Sequence, residues 1–130
     1  QRARLEDVAA YRSKEVYLRG YCMSPGVLIC NRNGSLELRP LFLLHRGDMD
    51  DVVEWPLNQM ISLLLVHPKK GAARTLAART TDGPRSSCRR PQDGHVQHTF
   101  TSSISLSFQD LIKDGYVQDD QLRVLFELLP

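Results

Sequence analysis

The sequence predicts one mostly antiparallel, all-β sandwich of about seven or eight strands. Three observations predict it. Short apolar runs alternate with polar residues at a period of two, as in Leu36 and Leu38 against Glu37 and Arg39, or Leu122, Val124, Phe126 and Leu128 against Arg123 and Glu127. Turn signals separate these runs, the strongest being Asn33-Gly34. Helical periodicity is short and local wherever it occurs.

The elements follow in order. Residues 1–15 are polar and charged, with Leu5, Val8 and Ala9 at helical spacing, so a short helix or an irregular lead-in is expected there. The sandwich domain is placed at 16–130. Val16 to Cys22 is rich in strand formers, and Ser24-Pro25-Gly26 reads as a turn before the apolar run Val27 to Cys30. After Asn33-Gly34 a strand runs through Leu36 and Leu38 to Leu44, and Pro40 within it implies an edge or a bulge because proline has no ladder donor. Met60 to Val66 is apolar except for Ser62 and predicts a strand buried on both faces. Arg74 to Arg79 is a further strand candidate, as is 102–108 around Ile104, Leu106 and Phe108. Asp110 to Asp114 predicts one helical turn closed by Gly115. The final strand carries Leu125 on its polar face, which predicts partial cover there.

At 130 residues the chain fits one domain with its own core. Hydrophobic content of 42% and charged content of 25% match a globular protein, not a disordered one. The net charge of +2 argues against a general nucleic-acid coat. Charge is uneven, however. Residues 67–103 hold seven Lys and Arg against Asp82 and Asp93, a net +5, which leaves the rest of the chain at −3. Cys22, Cys30 and Cys88 are too few and too scattered for a disulfide framework, which points to a reducing, cytoplasmic setting. No apolar run approaches the roughly 18 residues of a membrane span, and no signal peptide is visible. The missing initiator Met suggests a piece of a longer protein.

Catalytic and metal chemistry find little support. His95-x-x-His98 with Cys88 lacks the paired cysteines of structural zinc, and exposed loop histidines are the simpler expectation. Asp48, Asp50, Asp51 and Glu54 do not follow calcium-loop spacing. Cys30 reads as a small core residue. Cys88 is flanked by Arg89 and Arg90, which would lower its pKa, yet no protease signature surrounds it. No phosphate-binding glycine loop or nucleophile elbow is present. No catalytic residue, metal or cofactor is therefore expected. Residues 67–99 contain no Phe, Tyr or Trp, so the stacking platforms of a single-strand binder are missing.

Four segments then stand out together. Leu41-Phe42-Leu43-Leu44-His45-Arg46-Gly47 is followed by Glu54-Trp55-Pro56-Leu57-Asn58-Gln59 and the run Met60 to Val66. Ser86-Ser87-Cys88-Arg89-Arg90-Pro91 comes next, and Gly115-Tyr116-Val117-Gln118-Asp119-Asp120 leads into the last strand. In order and spacing these resemble the TRAF-C domain, the TRAF branch of the MATH superfamily. That family has a glycine then Trp-Pro-Phe, a Ser-Ser-Phe-Gln-Arg-Pro segment and a Tyr-Val-x-Asp-Asp signature. The resemblance covers roughly residues 26–130.

The resemblance implies an antiparallel sandwich that recognises extended peptides at a sheet edge. It also implies adaptor work downstream of receptors or in ubiquitin ligases, often as trimers. The departures bear on the groove. By position, the family's receptor-reading Arg, Tyr and Asp become Ile29, Asn31 and Ser35, and the loop after Asn33-Gly34 is shorter. The serine tongs map to Arg85, Ser86 and Ser87. The following aromatic becomes Cys88, and a pocket aromatic becomes Leu41. The opening Trp-x-Ile strand is lacking, with Val16 to Cys22 as its possible substitute. Ser86 and Ser87 can exchange hydrogen bonds with a peptide, and Arg85, Arg89 and Arg90 favour acidic residues in it. The expected activity is thus partner binding through an altered groove. The alternatives are an oligomerisation domain without a groove, or an RNA- or phosphate-binding domain using residues 67–103.

Overall fold

The computed structural model of the chain describes residues 5–71 and 73–130. Two antiparallel sheets face each other, as the alternating strands predict. The first sheet is built on β3 (Tyr21–Arg32) and β4 (Ser35–Leu44), joined at Asn33-Gly34, where φ is +52° and +88°. Both turn positions need positive φ, which Asn and Gly tolerate best. The free edge of β3 is shared by β2 (Val16–Leu18), opposite Tyr21–Met23, and by β1 (Leu5–Arg12), opposite Gly26–Arg32. The second sheet has the order β6-β5-β10-β9. Here β5 is Met60–Val66, β6 is Ala73–Arg79, β9 is Val117–Gln118 and β10 is Gln121–Leu129.

The N-terminal expectation is corrected. Residues 5–12 form β1 rather than a helix or an irregular lead-in, because pairing with β3 outweighs the weak helical spacing. Ser24-Pro25-Gly26 is likewise no turn, since β3 runs through it unbroken. Gly26 has a different role. A Cβ there would lie 1.8 Å from the Tyr11 carbonyl oxygen, so only glycine lets β1 lie this close. The turn falls instead at Arg19-Gly20, with φ of +50° and +87°, and splits the expected 16–22 strand into β2 and the start of β3.

Pro40 sits inside the first sheet, opposite Val27 of β3. The strand on its other side is broken: β7 (Phe100–Thr101) pairs with Leu41 and Phe42, and β8 (Leu106–Ser107) with Glu37 and Leu38. The interruption falls at Arg39 and Pro40, so the missing donor leaves no ladder position empty. The expected 102–108 strand is therefore two short pieces. Phe108 opens a helix, α1 (Phe108–Lys113), whose start is capped by the Ser107 hydroxyl accepting from the Asp110 amide. Gly115, at φ +85°, ends the turn that follows, as predicted.

The core has two parts. Tyr21, Met23, Phe42, Leu44, Leu57, Ile61, Cys88 and Phe100 form a closed cluster, with the Phe42 and Phe100 rings stacked at 4.6 Å. Leu38, Leu63, Leu65, Leu76, Leu111 and Tyr116 form the second, with a fringe of half-buried Val27, Ile29, Val124 and Phe126. β5 is buried on one face only, through Ile61, Leu63 and Leu65, and its other face is half-buried. Leu125 stands 50% exposed on β10, so the cover predicted for that face is partial. No helix among the described residues is long and apolar enough to cross a membrane.

Candidate partner-binding site

The loops at the Met60 end of the second sheet fold into a cleft of about 860 Å³. Thr80 organises its floor. Its buried hydroxyl donates to the Leu57 carbonyl at 2.9 Å and accepts from the Gln59 amide at 3.0 Å. The Leu57 amide in turn donates to the Cys88 carbonyl at 2.8 Å. Residues 85–88 make one 3-10 turn above this floor. The Ser87 hydroxyl donates to the Thr99 carbonyl at 3.2 Å, and the Gln97 side chain donates to the carbonyls of Ser87 and Arg89 at 3.2 and 3.3 Å. Loops 85–90 and 92–99 are thereby tied into opposite walls.

Trp55 and Pro56 form the third wall. The Trp55 ring meets Tyr21 edge-on at 5.1 Å, and its indole N–H donates to the Asp50 carbonyl at 2.8 Å. Asp50 is itself buried, and its carboxylate accepts from the Gly47 amide at 3.0 Å. Arg85, Arg89 and Arg90 make the lining cationic, His95 and His98 also face it, and no carboxylate does among the described residues. Arg90 is ion-paired with exposed Asp51, whereas Arg85 and Arg89 have no ion-pair partner among the described residues.

The sequence-predicted site residues divide sharply. Arg85 is exposed and Ser86 half-buried at the cleft. Ser87 and Cys88 are buried beneath it, at 0% and 3% exposure. Leu41, 2% exposed, packs with Leu28 and Cys30. Ile29 points to the gap between the sheets rather than to this cleft. The Asn31 side chain closes the β3–β4 turn by accepting from the Gly34 amide at 2.8 Å, and Ser35 is exposed beside that turn. Phe42, the level at which Cys88 packs, lies seven residue steps beyond Ser35, about 23 Å along β4. The structure therefore brings Arg85, Ser86, Ser87 and Cys88 together, and leaves Ile29, Asn31 and Ser35 at the far end of the hairpin.

The expectation that flanking arginines lower the Cys88 pKa is overturned. Burial pushes the thiol up to about 11, because Arg89 and Arg90 point outward while the sulfur packs into the core, 3.6 Å from the Thr80 carbonyl. His95 and His98 are exposed, and no set of three or more His, Cys, Asp or Glu side chains among the described residues is placed to hold a metal. Their position in the cationic wall was not legible from the His-x-x-His spacing. Gln97, which ties the two loops, carries no signal in the sequence at all.

A search of curated proteins returns no match to this chain. The family model described as TRAF/meprin, MATH domain matches residues 10–125. With that match and the two facing antiparallel sheets, the chain belongs to the TRAF/meprin MATH domain family, a family of protein-interaction modules.

Proposed function

We propose that this domain is the partner-binding part of an intracellular adaptor or ubiquitin ligase, and that it holds an extended, acidic protein segment in the cationic cleft. The observation that carries this reading is the lining. Three arginines and two histidines converge there without a carboxylate, beside the wall formed by Trp55 and Pro56. Such a site favours carboxylates through charge-assisted hydrogen bonds, and the aromatic wall gives an extended backbone something to lie on. Arg85, Arg89 and Ser86 would make direct contact, with Ser87 and Cys88 holding the loop from beneath. Ile29, Asn31, Ser35 and Leu41 are assigned no contact.

RNA or phosphate is the weaker alternative. The seven cations of residues 67–103 do not form one patch. Lys69 and Lys70 precede β6 and Arg85 to Arg90 follow it, so its length, roughly 20 Å, separates them. A trimer or other homo-oligomer is compatible with the cleft, and light scattering on the purified chain decides it.

The test is charge reversal at exposed positions. Arg85→Glu with Arg89→Glu should weaken binding of a labelled glutamate-rich peptide by about tenfold or more, and the wild-type affinity should fall with added salt. The unfolding free energy should change by no more than the ordinary surface range, about 0.5 kcal/mol. Unchanged peptide binding, or unfolding of the variant, would sink the reading.

A further inference from the structure

The cationic cleft collects more hydrogen-bond donors than one carboxylate can use. Arg85, Arg89 and Arg90 line it together with Ser86, His95 and His98. Each guanidinium carries five N–H donors in a planar fork, and each imidazole keeps at least one N–H in either protonation state. Arg85 and Arg89 have no ion-pair partner among the described residues. The Asp51 side chain that meets Arg90 is 85% exposed, so water competes for it. The Ser86 hydroxyl has no hydrogen-bond partner among the described residues either, whereas that of Ser87 is taken by the Thr99 carbonyl. Another cleft, about 740 Å³ between the sheets, makes the contrast: it is walled by Val27, Ile29, Val124 and Phe126, and offers apolar surface where this one offers donors.

The loop holds these donors as a pincer. Arg85 opens the 3-10 turn of residues 85–88 and Arg89 follows it, an axial separation of about 8 Å. Two arginine side chains span that distance. Their backbone is pinned by the Gln97 side chain at the carbonyls of Ser87 and Arg89, and by the Leu57 amide at that of Cys88. Arms on a pinned loop lose less freedom on closing round a ligand than arms on a loose one.

We infer that the cleft reads a phosphoserine or phosphothreonine in an extended segment of a partner protein, with Arg85 and Arg89 as the arms that grip the phosphate. The inference rests on the partner-binding reading above and narrows it from acidic segments to phosphorylated ones.

Charge and oxygen count select that ligand. A phosphoserine carries about two negative charges and three acceptor oxygens. A carboxylate has one charge and two oxygens, so a single Asp or Glu is occupied by one guanidinium fork met side-on, whereas a phosphate can take two. The other walls suit a protein. Val96 on the facing loop is 81% exposed, and Trp55 and Pro56 make the third wall, so apolar residues beside the phosphate find cover. A nucleic-acid strand would instead need a row of aromatic platforms, which residues 67–99 do not contain. Only the three arginines of the cleft are required, so the scatter of the remaining cations of 67–103 does not weigh against it.

The probe is a labelled peptide with one phosphoserine between two valines and no other charge. It is read by fluorescence anisotropy beside the same peptide with Asp or Ser in place of the phosphoserine. The phosphoserine peptide should bind about tenfold or more tighter than the Asp peptide, and the Ser peptide weaker still. Arg89→Lys keeps the charge and removes the fork. It should weaken the phosphoserine peptide about fivefold or more and leave a glutamate-rich peptide within about twofold. An equal loss for both peptides would reduce the site to bulk charge and overturn the inference. Equal affinity for the phosphoserine and Asp peptides, with the glutamate-rich peptide still bound, would overturn it and leave the partner-binding reading standing. If neither the phosphoserine nor the glutamate-rich peptide binds, both fall. Displacement of the phosphoserine peptide by an oligouridine strand at equal phosphate concentration would assign the cleft to nucleic acid. Displacement by vesicles carrying a phosphorylated inositol lipid would assign it to a membrane surface. Either result overturns the inference as well.

Discussion

The two clefts are built in opposite ways. The cationic one is made of loops laid over a finished core: beneath it Phe42, Phe100, Leu57 and Ile61 have lost essentially all contact with solvent. The apolar one is made of strands around an unfinished core, where Val27, Ile29, Val124 and Phe126 keep part of their surface. Loops over a closed core can present charge freely, because the carbonyls and hydroxyls that hold them are satisfied among themselves. Strands around an open core instead leave apolar side chains partly exposed between the sheets.

The largest expected effect breaks the closed side. Phe100→Ala removes a fully buried, stacked ring and should cost about 3–5 kcal/mol in urea unfolding. Phe126→Ala, at the open flank, removes a half-buried ring and should cost about 2 kcal/mol. Equal losses would mean that the flank is closed in solution and the comparison fails. Gly83 adds a local version of the same test. A Cβ there would meet the Phe100 ring at 2.2 Å, and that ring has no room to retreat. Gly83→Ala should therefore displace the 85–90 loop and weaken the cationic cleft, while hydrogen exchange along β10 stays as it was.

An intermediate effect concerns charge inside the first sheet. Arg39 is 6% exposed and donates to Glu37 at 2.8 Å. The Arg39 hydrogen bond holds the Glu37 carboxyl below its ordinary value of 4.5, against the opposing effect of burial. A carboxyl whose folded pKa is depressed contributes stability above its unfolded pKa and loses it as pH falls through the folded one. Glu37→Gln should cost about 2–4 kcal/mol at neutral pH, since it leaves a buried guanidinium without its counter-charge. It should also flatten the loss of stability of the wild type below about pH 4.5. A variant with the wild-type acid profile would show that other carboxylates govern that range.

Much of the fold was legible because it rests on short-range signals. Asn33-Gly34 fixed the β3–β4 hairpin, Gly115 the end of the helical turn, and alternation the inward face of β10. The errors came where long-range pairing overrode such signals. Pro25-Gly26 looks like a turn locally, yet Gly26 is there to let the Tyr11 carbonyl approach. Asp119-Asp120, at φ of +53° and +60°, turns the β9–β10 hairpin without glycine, so only the family signature marked it. The site was legible in part for the same reason. Arg85 and Ser86 adjoin in sequence and in space, while Trp55 and the Gln97-His98 pair reach the cleft from two other loops that no spacing rule connects to them.

The smallest effect sharpens how rigid the loop side is. Cys88 has arginines as its next two neighbours, and a loop that opened would bring the thiol beside their charges, where it would ionise readily. In the closed arrangement burial instead holds it near 11, so almost no thiolate exists at neutral pH. Cys22 and Cys30 are buried too, and burial also raises the Cys22 thiol. The native protein at pH 8 should therefore show no rapidly reacting thiol toward a chromogenic disulfide reagent, and all three after denaturation. One fast equivalent that disappears in Cys88→Ala would place the opening in the 85–90 loop. The cationic cleft would then be a mobile surface ordered by its partner, and the contrast between the two clefts would be one of stiffness as well as chemistry.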